Sequence, residues 1–277
     1  MTAEPRTSAS PIASDRAVRG RPNSVRAFWA LLWRDIFVTS RQLPAFLAQV
    51  ILQPFFLLFV FGKVLAELGY TRGNYADLLF PGIVALTAVL TALQGTALPL
   101  VIDFSFSREI EDRLLAPLPI AWVAIEKIIY AMMRALIGAA LMFPIGVLVL
   151  GSVPWRAAGA PLVVATLVLG ALVGAAMGLT LGTVVTPNNI NIVFALVLTP
   201  LLFTGATQYP WPSLDGLRWF QVLTACNPLT YVSEGMRGAL TPEVPHIAPW
   251  ICVLVLLGFL ALFTAAGVRG FLRRALD

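Results

Sequence analysis

The side chains best suited to act on something beyond their own segment lie in residues 103–119, DFSFSREIEDRLLAPLP. Ser107, Arg108, Glu109, Glu111, Asp112 and Arg113 crowd both signs of charge together, while Phe106, Ile110 and Leu114 recur at four-residue spacing, the pattern of a short amphipathic helix. Arg108 with Asp112 and Glu109 with Arg113 can pair along its wet side, and Pro117 and Pro119 stop it before the next apolar run. The chemistry open to this surface is reversible docking through ion pairs; as a bare solvated connection it would do nothing. A second polar set occupies NPLTYVSEGMRGAL, where Asn227 can cap a helix and Pro228 suits its first position. Leu229, Val232, Met236 and Leu240 share one face of that helix, and Thr230, Glu234 and Arg237 share the other, with Glu234 and Arg237 close enough to pair. Bond-making chemistry has no such candidates. The sequence contains no GxxxxGK[ST] phosphate loop, no HExxH and no GxSxG. Its single histidine, His246, and two cysteines, Cys226 and Cys252, supply no metal set and no disulfide framework. Both cysteines fall on the side read as external, where a bridge is conceivable; two unpaired thiols are the favoured reading.

The elements that must position these residues belong to a membrane protein. Of 277 residues 58% are hydrophobic and only 12% charged, against about a quarter charged in soluble domains. Mean hydropathy is +0.85. The net charge of +5 gathers at the two ends of the chain rather than on a nucleic-acid-binding domain. Residues 1–23 read as a disordered cytoplasmic tail without a secretory signal. Residues 24–41 place Val25, Trp29, Leu32 and Ile36 on one face, flanked by Phe28 and Trp33, with Arg34 and Arg41 opposite. That helix suits the membrane interface, tryptophans at headgroup level; the alternative is a core helix of a soluble cap.

Six spans of roughly 20 apolar residues are expected, at about 45–65, 78–102, 128–150, 160–185, 188–206 and 250–268. Residues 208–249, too polar to span, are expected as re-entrant or surface-lying helices at the outer leaflet. The spans lack charge at mid-depth, where ion-coupled transporters keep it; Lys63 and Arg134 are the nearest exceptions, both close enough to an interface to snorkel. Gly170, Gly174, Gly178 and Gly182 form a bare stripe along the fourth span. It serves either packing within one subunit or a gliding or dimer contact, and it puts that span at the centre of the bundle. Arginine and lysine cluster before the first span, between the second and third, and after the last, which places both termini and the 103–119 helix in the cytoplasm.

The sequence resembles the membrane subunits of type-two ABC exporters, the permease family that includes daunorubicin and multidrug-resistance permeases. The resemblance covers nearly the whole chain after residue 24. SREIEDRLLAPLP is similar to the family's charged stretch between spans two and three, though without its glycine. LLFTGATQYPWPSL looks like the end of the family's fifth span, and NPLTYVSEGMRGAL resembles its most recognisable motif. The resemblance implies an all-α permease, a homodimer or a heterodimer with a paralogue. It would bind no cofactor itself and be driven by separate ATPase subunits that use ATP and Mg. Phe106, Arg108, Glu109, Ile110, Glu111, Asp112, Arg113 and Leu114 would form the coupling helix against the ATPase. Trp29, Leu32, Trp33 and Ile36 would lie on the interfacial helix beside it, and Asn227, Pro228, Tyr231, Glu234 and Arg237 on an outer re-entrant hairpin that gates release. The expected role is export of a hydrophobic or amphipathic drug, lipid or lipid-linked glycan across the bacterial inner membrane. A secondary transporter or channel independent of ATP, and an assembly subunit, are the competing classes.

Overall fold

The computed structural model of the protein describes residues 24–41, 43–70, 75–104, 119–186 and 189–276. Every regular element among them is helical, as lipid demands: only helices and closed barrels satisfy their own backbone polar groups away from water.

Helix α1 (Ser24–Arg41) precedes α2 (Leu43–Glu67). Pro54, which cannot donate to the helical ladder, lies in α2 ahead of a π-helical turn at Leu58–Val64. Helix α3 (Tyr75–Ile102) leads toward the charged segment, α4 (Ile120–Leu150) leads away from it, and α5 (Ala160–Val184) follows a tight turn at Gly151. Gly151 takes φ +83°, a left-handed conformation that favours glycine. Helices α6 (Ile190–Thr204), α7 (Arg218–Ala225), α8 (Pro228–Leu240) and α9 (Pro249–Leu276) complete the chain.

Five of these helices are long and apolar enough to cross a membrane: α2, α3, α4, Ala157–Val184 (which contains α5) and α9. The expected fifth span at 188–206 differs. Helix α6 has 15 residues, about 22 Å at 1.5 Å per residue, which is short of a hydrocarbon core of about 30 Å. Pro200 falls inside α6, and Gly205 and Ala206 end it. The expected third span begins earlier than its hydropathy suggests, because α4 starts at Ile120 and carries Glu126 and Lys127 inside its helix, both buried.

Of the five candidate spans the most enclosed is α3, with 78% of its apolar window buried against 67% for Ala157–Val184 and 17% for α9. The centre of the bundle is therefore shared by α3 and α5, whose small residues allow close approach. A Cβ on Gly174 would sit 2.5 Å from the Val89 carbonyl oxygen of α3. Gly178 faces Leu93 and Thr96 of α3, Gly182 faces Leu100 and Ala97, and Gly170 faces Val232 of α8. The whole stripe thus lies against helices of the same chain. The main core joins Leu79–Leu93 of α3 to Met142 of α4, Val173 of α5 and Leu229, Val232 and Met236 of α8.

Candidate functional site

Two polar constructions stand at opposite ends of this core. Residues 105–118, including Phe106, Arg108, Glu109, Ile110, Glu111, Asp112, Arg113 and Leu114, lie outside the described residues; the points where the chain enters and leaves them do not. At the entry, Asp103 is buried and accepts a hydrogen bond from Lys127 Nζ at 3.3 Å. The same ammonium stands 3.6 Å from Asp35 of α1, with all three side chains about nine-tenths shielded. One lysine therefore ties the end of α3, the start of α4 and α1 together. Next to Asp103, Phe104 packs edge-on against Phe271 of α9, and the Arg274 guanidinium lies 4.7 Å from its ring centre. Arg274 also donates to the carbonyls of Gly182, Thr183 and Val185, so a cation closes the C-terminus of α5, where unpaired carbonyls and the helix dipole favour it. Neighbouring Asp103 and Phe104 are thus clamped from two sides to four helices.

Helix α1 meets this base on a narrower face than its periodicity implies. Phe28 and Leu32 are buried and pack with Tyr130 of α4, and Ile36 packs beside them. Trp29 and Trp33 are 63% and 71% exposed. Val25 is exposed as well, so the expected apolar stripe splits into a part held by α4 and a part turned away from it. The sequence reading missed Asp35, which lies between these faces and reaches Lys127, 92 residues further along the chain.

At the other end, where re-entrant or surface-lying helices are expected, α8 is buried rather than surface-lying. Asn227 caps it as read from sequence: its side-chain oxygen accepts from Leu229 N at 2.9 Å, while its amide donates to Leu201 O and Thr204 Oγ1 of α6. Both faces of α8 are buried, however, not the apolar one alone; Glu234 and Arg237 have no exposed surface. The polar face is accommodated because its charges are enclosed in partners. Glu234 accepts from Arg237 Nη1, from Trp211 N at 3.0 Å and from Ile247 N at 2.9 Å. Arg237 donates its second amine to the carbonyl of Ala206 at 2.9 Å. Ala206 is the described non-glycine residue with positive φ, +50°, a left-handed conformation that costs alanine about 1–2 kcal/mol. Burial pulls the Arg237 guanidinium below its ordinary pKa, and Glu234 pulls it partly back. Tyr231 donates to Ala225 O at 2.9 Å, and burial raises its phenol above the usual value. Glu234 and Arg237 therefore fasten the chain leaving α6, the Trp211 turn and the chain entering α9 onto one helix. Cys226 is exposed and Cys252 buried; both thiols are free.

Of the two charges expected to snorkel, Lys63 pairs with Glu67 at 3.3 Å on a half-exposed face. Arg134 is partly buried: its guanidinium lies 4.4 Å from the centre of the Phe46 ring and 5.7 Å from that of Tyr130, and it lines a cavity between α2, α3 and α4.

Long apolar helices around a core, with ionic fastenings confined to its two ends, define a multi-pass helical membrane protein. Residues 26–241 match the ABC-2 type transporter family, and the chain belongs to that family of membrane components of ABC transporters. The chain is also similar to "Putative transport permease ycf38" of Cyanophora paradoxa, 26% identical over 235 residues that cover 78% of this chain and 77% of that protein.

Proposed function

We propose that the protein is the transmembrane half of an ATP-driven exporter, moving a hydrophobic or amphipathic compound outward across the cytoplasmic membrane while a separate ATPase hydrolyses MgATP. The observation that carries this reading is the double clamp on Asp103 and Phe104. A force applied to residues 105–118 needs a stiff route into the bundle, and this root is fixed to α1, α4, α5 and α9 by an ion triad and an aromatic-cation contact. Glu109, Glu111, Asp112 and Arg113 are the docking charges on the ATPase side, and Trp29 and Trp33 hold α1 in the headgroup layer. The enclosed α8, with Tyr231, Glu234 and Arg237, closes the outer end. Both termini face the cytoplasm, which makes α6 with its flanking turns the sixth crossing. A second copy or a paralogue completes the pathway.

The test is a gentle detergent pull-down of the tagged chain from its native membrane, followed by transport assays in sealed vesicles. Co-purification of an ATPase with a phosphate loop supports the reading. The Glu111→Lys/Asp112→Lys variant is expected to remain in the membrane yet separate ATP hydrolysis from transport. Unchanged transport by that variant would sink the coupling assignment. Transport that survives ATP depletion but collapses with an ionophore would establish the secondary-transporter alternative instead.

A further inference from the structure

The Arg134 cavity has no role in the coupling scheme. It measures about 150 Å³, room for several waters at about 30 Å³ each but below the roughly 300–1,000 Å³ of pockets that enclose whole drug-sized ligands. It suits a head group. Gln49 and Gln53 of α2, Thr91 and Gln94 of α3 and Arg134 of α4 line it together. None of the four neutral side chains hydrogen-bonds to a described residue, and Arg134 Nε is buried without a partner. No described carboxylate forms an ion pair with Arg134; its guanidinium is held by the faces of Phe46 and Tyr130, which leave its edge for a ligand. An arginine inside a membrane domain is expensive unless it is paired or functional.

We propose that this cavity binds an uncapped phosphate-type oxyanion, the phosphomonoester head group of an acyl-chain lipid. A cation would meet the guanidinium, and an apolar ligand would leave five polar side chains unsatisfied, whereas an oxyanion matches the planar fork of arginine and accepts from amide and hydroxyl donors. Val50, Leu86 and Leu90 continue the lining as apolar wall. Gln49 and Gln53 form a side that the described chain leaves uncovered, so a lipid can enter from the bilayer. Arg134 stands seven residues beyond Lys127, about 10 Å along α4, a depth that a phosphate can reach while its acyl chains stay in hydrocarbon.

The test uses the purified full chain in detergent, incubated with dioleoyl phosphatidic acid or dioleoyl phosphatidylcholine, with bound lipid counted by native mass spectrometry and inorganic phosphate as competitor. Wild type is expected to retain phosphatidic acid about tenfold over phosphatidylcholine, the scale of one charge-assisted hydrogen bond. Arg134→Gln is expected to erase the preference, and Arg134→Lys to keep part of it, since the charge remains and the fork is lost. Thr91→Val/Gln94→Leu, which leaves the arginine on its rings, is expected to lower retention several-fold, so the inference stays testable if Arg134→Gln misfolds. Displacement by phosphate without lipid retention would assign the site to a free oxyanion, keeping the site and rejecting the lipid. Equal retention of both lipids without phosphate binding, or an undiminished preference in a folded Arg134→Gln variant, would overturn it. No ATPase takes part, so the outcome is separable from the export reading.

Discussion

The carboxylate of Glu234 offers the sharpest physical test of the end of the bundle that α8 braces. It receives hydrogen bonds from Trp211 N, Ile247 N and Arg237 with no solvent contact. In Glu234→Gln the shape is kept, but one oxygen becomes a donor facing donors and the buried guanidinium loses its counter-charge. Breaking a buried pair by neutralising one partner costs about 3–5 kcal/mol. That loss falls on the segment 241–249, because Ile247 is one of its anchors. Cys252 reports it: the thiol is 1% exposed and lies 3.9 Å from the Ile247 carbonyl. In a Cys226→Ser background, maleimide labelling of Cys252 measures the opening of this segment. At tenfold per 1.4 kcal/mol, Glu234→Gln is expected to raise the labelling rate by roughly two to three and a half orders of magnitude. Glu234→Gln/Arg237→Met removes the uncompensated cation yet keeps an amide near the two backbone donors, and is expected to label at an intermediate rate. Wild-type labelling in Glu234→Gln, or a double variant as open as the single one, would show that this pair does not hold that end.

Lys127→Met takes away the ammonium shared by Asp35 and Asp103 and is expected to destabilise the base by about 3 kcal/mol, with Asp35→Asn restoring part of the loss; the thermal midpoint of the detergent-solubilised protein measures both. Gly174→Ala drives a Cβ to 2.5 Å from the Val89 carbonyl and is expected to cost about 1–3 kcal/mol by overpacking. Gly258→Ala meets nothing within 4 Å and is expected to be neutral or to stabilise α9 by up to about 1 kcal/mol, read on the same thermal scale.

Much of α8 was legible locally. Asn227 and Pro228 mark its start, and the three-residue spacing of Glu234 and Arg237 allows their pairing, because capping and i,i+3 contacts are made within one turn. The destination of its polar face was not legible. A helix with Glu234 and Arg237 on one side reads as half-wet, and it becomes wholly buried only because backbone donors at Trp211 and Ile247 and the carbonyl of Ala206 come from other parts of the chain. The start of α4 follows the same rule. Hydropathy starts the span near Ile128, since Glu126 and Lys127 look like surface charges, yet Lys127 is enclosed by carboxylates 24 and 92 residues away in sequence. The packing of Arg134 of α4 against Phe46 of α2 is likewise a contact between distant segments.

The sequence by itself determined that this is a helical membrane protein, where its long spans lie and where its charges interrupt them. These follow from composition and from the rule that backbone in lipid must satisfy itself along one helix. Tertiary structure decided that α3 shares the centre with α5, that the glycine stripe is a seam within the chain, that α6 is short, and that a triad and a buried pair brace the two ends. The physical reason is that lipid is as apolar as a protein core. An apolar face is equally at ease against either, so local pattern cannot tell them apart, and the choice is made by close packing of small residues and by distant polar groups that must find one another.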